Sequence, residues 1–305
     1  MRVAAIDQGT NTTRLLVADV EDGNLSEVVR RSAITRLGEG VDERRRLLPL
    51  PIARVRNSLT DYRREAERLG AERTLLVATS AVRDAENGEA FLGEIEWSYG
   101  FTTKLATGEE EAALMLRGVG EIGPRTLVVD VGGGSTELVT TGFRTSLDIG
   151  SVRLTERYLH SDPPMGYEID ACAARVRGAL PALDVSDGVG VAGTVTSLAA
   201  LDLGLDAYDR ERVDGHRLSL DGVARQLDRL AALPLLERRE VPALEPERAP
   251  VIVAGAVIVR EVMAAYGIDA LRVSERDILD GIAYEAATLP APVEGDAPPG
   301  AYTCC

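Results

Sequence analysis

Along the chain, short apolar runs closed by a carboxylate, glycine or hydroxyl alternate with longer stretches whose apolar positions repeat every three or four residues. The short runs predict buried strands and the long stretches amphipathic helices. Val3-Ala-Ala-Ile6 is the first run and Leu15-Leu-Val17 the second, with a polar turn between them. After a turn-rich loop from Thr35 to Asp42 comes an arginine run, Arg44 to Arg46, which reads as a solvated face. Ile52, Val55, Leu59, Tyr62, Ala66 and Leu69 then predict a helix that ends at Gly70, and Thr74 to Ala78 predicts a buried strand. Strand, helix, strand is an α/β signature.

A short strand near Thr102 to Ala106 leads into a helix that opens at Thr107-Gly108. Leu127-Val-Val129 and Leu138-Val139 predict a second hairpin, Ser146 to Thr155 a strand and turn feeding a helix, and Glu168 to Leu180 another helix. Gly188 to Leu198 reads as strand, glycine turn and helix. Val251 to Val259 reads the same way, with its helix running towards Tyr266. Ser274-Glu-Arg-Asp277 has the capping-box pattern and is expected to start a last helix through Ile278, Ile282 and Ala286. From Pro290 the chain carries four prolines with glycine and acids, the composition of a disordered tail.

The polar turns carry the candidate chemistry. The second hairpin holds Asp130, then Gly132, Gly133, Gly134 and Ser135, then Glu137. Three glycines permit positive φ and leave no Cβ to keep a ligand away, so backbone amides can converge on an anion. The first hairpin echoes it at one constant offset: Asp7 answers Asp130, Gly9 answers Gly132, Thr12 answers Ser135 and Arg14 answers Glu137. An ungapped internal echo suggests a duplicated unit. Two related halves would each offer a phosphate-sized turn, with an acid at its mouth.

Arg83 and Asn87 follow directly after a strand, where ligands of open α/β sheets collect; a surface ion pair is the plainer reading of Arg83. Glu109, Glu110 and Glu111 open a helix, where acids complement the dipole. Glu111, next to the apolar face that begins at Ala112, is the one expected to point inward. Near other carboxylates and partly desolvated, it would have the raised pKa that suits a general base.

Composition narrows the classes. A chain of 305 residues suffices for two domains, and 45% hydrophobic with 27% charged residues is that of a globular protein. A net charge of −15 argues against nucleic acid and anionic membrane as partners, so attraction for a phosphate polyanion must be local. Lys104 is the only lysine and no G-x-x-x-x-G-K-[ST] is present, which excludes a P-loop. No secretory signal precedes Asp7, and no run approaches the ~20 apolar residues of a membrane span, so a cytoplasmic location is expected. Cys172 and the terminal Cys304–Cys305 pair form neither a disulfide framework nor a metal-ligand spacing.

Taken together, the chain resembles the exopolyphosphatase and guanosine pentaphosphate phosphohydrolase (Ppx/GppA) family, in the superfamily of actin, sugar kinases and heat-shock ATPases. The resemblance is carried by Asp7-x-Gly-Thr-Asn-Thr-x-Arg14, Arg36-Leu-Gly-Glu-Gly40, Thr79-Ser-Ala-x-Arg-x-Ala-x-Asn87, Gly108-x-Glu-Glu-Ala112, Asp130-x-Gly-Gly-Gly-Ser-Thr-Glu137, Gly150-Ser-Val-Arg153, Gly193-Thr194 and Val273-Ser-Glu275. It implies an α/β fold of two ribonuclease-H-like domains flanking a cleft, over about 1–117 and 118–289. A last helix near 276–289 would be free to pack back on the first domain, and 290–305 would be a disordered tail. It implies hydrolysis of a terminal phosphoanhydride with Mg2+, Glu111 being the catalytic glutamate and Asp130, Glu137 and Asp7 the acidic metal-site positions. Thr10, Asn11, Thr12, Arg14, Arg83, Gly132, Gly133, Gly134 and Ser135 match its phosphate-contacting positions. A homodimer rests on the resemblance alone.

Inorganic polyphosphate of short or medium length and guanosine pentaphosphate both present a terminal phosphoanhydride and both remain open as substrates. A non-catalytic sensor of polyphosphate or an alarmone is a further reading, against which the retention of Glu111, Asp130 and Glu137 argues. A sugar or acetate kinase is disfavoured because Gly255-Ala256 lacks the doubled glycine such folds often use at adenine.

Overall fold

The structure, a computed structural model, describes residues 1–290. The tail expected to be disordered lies outside them from residue 291 on, as does the terminal Cys pair. Among the described residues no helix is long and apolar enough to cross a membrane. The chain divides into two compact units, one made of Met1–Gly120 with Asp277 onward, the other of Glu121–Arg276.

The first unit is built on a five-stranded sheet of β1 (Arg2–Gln8), β2 (Thr12–Glu21), β3 (Asn24–Ile34), β4 (Arg73–Ala78) and β5 (Thr102–Leu105), in the order β3-β2-β1-β4-β5. β1, β2 and β3 pair antiparallel, while β1 pairs β4 and β4 pairs β5 in parallel. Asp22 and Gly23, with φ of 50° and 77°, form the tight β2–β3 turn that a primed hairpin needs. The helix Pro49–Arg68 turns Val55, Leu59, Tyr62 and Ala66 inward, as the spacing predicts, onto Ile6, Leu15, Val17 and Leu76 of the sheet.

The last helix, Ile278–Ala286, belongs to this unit and packs against both the helix Gly108–Val119 and strand β1. Glycines permit that approach: a Cβ on Gly281 would strike the Leu114 carbonyl, and one on Gly118 the Asp277 carbonyl. The N-cap of the last helix is Asp277, whose side chain accepts from Leu279 N at 2.9 Å while Asp280 accepts from Asp277 N at 3.1 Å. The expected box from Ser274 to Asp277 is thus corrected by three residues; Ser274 instead closes a local turn with Arg276 N at 3.1 Å.

The second unit carries a six-stranded sheet of β6 (Thr126–Val131), β7 (Thr136–Val139), β8 (Arg144–Leu147), β9 (Asp187–Val191), β10 (Arg217–Ser219) and β11 (Ala270–Val273), ordered β10-β11-β9-β6-β7-β8. Antiparallel β6, β7 and β8 continue into parallel β9 and β11. This repeats the order of the first unit with one strand added at the edge, and both are ribonuclease-H-like sheets. Asp7 opposes Arg14 across β1 and β2 as Asp130 opposes Glu137 across β6 and β7.

One expected strand is absent. Ile252 to Val259 lies within the helix Ile252–Tyr266, with Val251 as its N-cap, and this helix is buried almost all round among the apolar side chains of the second unit. A helix enclosed on every side has no polar stripe, so its sequence shows the same unbroken apolar run as a buried strand. Gly255 is consequently no turn; its missing Cβ makes room for the Thr194 side chain.

Candidate active site

Each unit carries its own set of candidate residues at the end of its central strand. In the first unit β1 delivers Asp7 and Gln8 into the turn Gly9–Asn11, which Gly9 N closes on Thr12 O at 2.9 Å. Thr35 N and Arg36 N donate to Asn11 O at 3.0 and 2.9 Å, and Gly38 N donates to Thr10 O at 2.8 Å, so the loop after β3 fixes the turn from behind. Asn11 is 6% exposed, yet neither atom of its side-chain amide has a hydrogen-bond partner. A buried amide left so costs about 1–3 kcal/mol, which a hydrogen-bonding ligand would recover.

Arg14, expected at a phosphate-contacting position, meets two carboxylates in the first unit. Its guanidinium donates to Asp7 Oδ2 through Nε and Nη2 at 3.0 and 2.6 Å, and to Asp277 through Nη1. It is a half-buried arginine clamped by two buried carboxylates. Arg30 continues the network by donating to Asp280 at 3.0 Å. Burial pushes the Asp7 carboxyl above the usual range, further than Arg14 draws it down. Burial acts on Asp277 in the same sense, but Arg14 and Arg30 outweigh it and hold that carboxyl below its ordinary value. The sequence marks Asp277 only as a helix-capping residue and Asp280 not at all; the available signal for their charge role was Arg14 itself, since an arginine drawn into the protein requires carboxylates near it.

Glu111 stands at the start of the helix Gly108–Val119. Thr107 and Glu110 form its capping box, Thr107 Oγ1 accepting from Glu110 N at 3.3 Å and Glu110 from Thr107 N at 2.8 Å, so Glu110 serves the helix end. Glu111, one residue on, is only 4% exposed. A cation stands beside it: Arg83 Nη1 donates to Glu111 Oε2 at 3.0 Å and to Ala106 O at 2.7 Å. Arg83 is therefore paired with a buried acid and not with the surface. Asn87 clamps Leu47 from both sides, Leu47 N donating to Oδ1 at 2.8 Å and Nδ2 donating to Leu47 O at 3.1 Å, so its role is structural.

In the second unit the turn Gly132–Ser135 is held by the helix Ser151–Tyr158. Ser151 N donates to Gly132 O at 2.9 Å, Val152 N and Arg153 N to Gly133 O at 2.8 and 3.1 Å, and Arg153 Nε to Gly134 O at 2.7 Å. In a trans peptide N–H points opposite to C=O, so the amides of Gly133, Gly134 and Ser135 face away from the helix as a set of donors. None of the three glycines takes a positive φ. A Cβ on Gly132 would meet the Ser135 carbonyl at 3.1 Å, and one on Gly150 would strike the Gly133 carbonyl, so close packing favours glycine at these two positions. Gly150 and Arg153 thus position the turn, a role their sequence signal did not separate from an ordinary strand-to-helix turn.

Asp130 and Glu137 oppose each other across β6 and β7, both buried, and Ser146 Oγ donates to Glu137 Oε1 at 2.7 Å. Two carboxylates side by side on one face repel unless a cation or proton joins them. Hard oxygen donors of this kind fit Mg2+, which is commonly held by one or two carboxylates with substrate phosphates completing its shell. Among the described residues no group of three His, Cys, Asp or Glu side chains is gathered to hold a metal.

The chain is 43% identical over 94% of its length to exopolyphosphatase 2 of Mycobacterium tuberculosis H37Rv, of which it covers 98%. It is 30% identical to the guanosine-5′-triphosphate,3′-diphosphate pyrophosphatase of Vibrio vulnificus, over 92% of this chain but 58% of that one. The crystal structure of an Aquifex aeolicus member of the Ppx/GppA family superposes with a TM-score of 0.77 at 32% identity, covering 94% of this chain and 97% of that one. Residues 16–289 match the model of the Ppx/GppA phosphatase family. That match and these relatives place the chain in the Ppx/GppA phosphatase family.

Proposed function

We propose that the protein is an exopolyphosphatase that removes the terminal orthophosphate of inorganic polyphosphate, with Mg2+ as cofactor. The observation that carries the mechanism is Glu111, a buried carboxylate at a capped helix start whose charge is partnered by Arg83. Such a group is fixed in position, shielded from bulk water and equipped to accept a proton. The name and the nearly full-length coverage of the Mycobacterium relative support polyphosphate as the substrate. A net charge of −15 supports a ligand bound by local groups instead of nucleic acid.

Glu111 takes a proton from water as the water oxygen forms a bond to the terminal phosphorus. The anhydride P–O bond breaks on the opposite side, and its electron pair stays on the shortened chain. In the second unit, the amides of Gly133, Gly134 and Ser135 offer a set of donors suited to phosphate oxygens. The buried amide of Asn11, with the Thr10 and Thr12 hydroxyls, offers further donors to a phosphate. Asp130 and Glu137 would hold Mg2+, which supplies charge neutralisation on the phosphate oxygens when bound. Arg83 steadies the ionised Glu111, and the Arg14 clamp holds Asp7 in place.

The Vibrio relative supports a second reading, in which the substrate is guanosine pentaphosphate. Orthophosphate release from each compound, side by side and with and without Mg2+, separates the two. Metal-dependent release from polyphosphate is expected. Release from the nucleotide alone would replace the first reading by the second, and release from neither would overturn both.

A further inference from the structure

Arg44, Arg45 and Arg46 lie at the end of the short helix Val41–Arg44 and in the segment after it, all three exposed. Among the described residues none of these three side chains forms an ion pair or hydrogen bond. Acids are near in sequence: Glu43 precedes them and Glu86 lies on the segment packed against them, both exposed. In a chain of net charge −15, three adjacent arginines left unpaired beside available carboxylates reverse the local field.

The backbone beneath them is held in place. Arg45 adopts a φ of 52°, a left-handed conformation that a non-glycine residue keeps only when its surroundings impose it. Its carbonyl accepts from Glu86 N at 2.8 Å. The two Asn87 amide bonds to Leu47, at 2.8 and 3.1 Å, fix the residue after the run. The arginines are therefore stapled to the segment that also carries Arg83, the partner of Glu111. From Arg83 to Glu86 is three residues, at most about 11 Å of extended chain.

We propose that Arg44, Arg45 and Arg46 form a polyanion subsite that receives phosphate units of the substrate beyond the terminal one processed at Glu111. The proposal rests on the polyphosphate reading above and deepens it. Guanidinium groups pair with phosphate oxygens through a planar fork of donors, and a flexible phosphate polymer offers successive oxygens to successive arginines. A substrate too short to extend past Arg83 gains nothing from them. The subsite thus sets a preference for chain length.

The test compares wild type with the variant Arg44→Gln, Arg45→Gln, Arg46→Gln and with the corresponding triple lysine variant, on tripolyphosphate and on long-chain polyphosphate. Glutamine keeps the side-chain reach and removes the charge. KM for the long chain should rise about tenfold in the glutamine variant, as for the loss of three exposed charge contacts. Turnover, and KM for tripolyphosphate, should stay unchanged, and lysine should restore most of the long-chain affinity. An unchanged long-chain KM, or an equal rise for tripolyphosphate, overturns the subsite. If wild type hydrolyses neither polymer, the activity reading fails on its own, and equilibrium binding of long-chain polyphosphate decides the subsite. Weaker binding by the glutamine variant then sustains it, and equal or absent binding by both proteins overturns it.

Discussion

Arg14 occupies a position that only carboxylates make tolerable. Asp7 and Asp277 grip its guanidinium from two sides, and both carboxylates are buried. Asp277→Asn keeps a good N-cap but leaves Arg14 with one carboxylate, and we expect a loss of about 3 kcal/mol in a denaturant titration. Because Arg14 and Arg30 hold the Asp277 carboxyl below its ordinary value, its stabilising contribution is complete above the unfolded pKa of about 4 and is lost as pH falls through the folded one. Wild-type stability should therefore drop on acidification more steeply than that of Asp277→Asn; parallel curves would remove Asp277 from the acid response. Asp130→Asn should raise the Mg2+ concentration needed for half-maximal activity, and an unchanged metal titration would exclude Asp130 as a ligand. The sequence showed the residue types of both sets, because acids, glycines and hydroxyls recur at one spacing in the two hairpins. It did not show which anion Arg14 meets, since Asp277 lies 263 positions away and its pairing exists only in the folded chain.

At the level of elements, the glycines are where backbone meets backbone. Gly281 and Gly118 let the last helix and the helix that carries Glu111 approach until each touches the other's main chain. Gly281→Ala forces them apart, and we expect about 1–3 kcal/mol of destabilisation with reduced turnover, because Glu111 rides on the displaced helix. Wild-type stability in that variant would show that the contact yields freely. Amphipathic helices were legible because one face meets polar surroundings, as in Pro49–Arg68, and the central strands because their apolar runs are short and closed by a turn signal. The helix Ile252–Tyr266 was not, because burial on all sides erases the periodicity that separates a helix from a strand. The last helix was found from its apolar spacing, but its cap was misplaced because Ser274 and Asp277 carry the same signal as Asp277 and Asp280.

For the whole molecule, the path of the chain has a consequence for folding. The second unit is one continuous stretch with its own sheet and core, whereas the first is completed by residues from Asp277 onward. Residues 121–276 expressed alone should unfold cooperatively on heating. Residues 1–120 alone should be poorly soluble, since β1 then lacks the helix that covers it, and a soluble, cooperatively folded 1–120 fragment would contradict this. Glu111 lies in that first unit, and single-turnover release of orthophosphate from polyphosphate by Glu111→Gln decides whether it is the base. We expect the rate to fall by roughly 10²–10⁴ with polyphosphate binding retained. A rate near that of wild type would mean that the proton goes elsewhere.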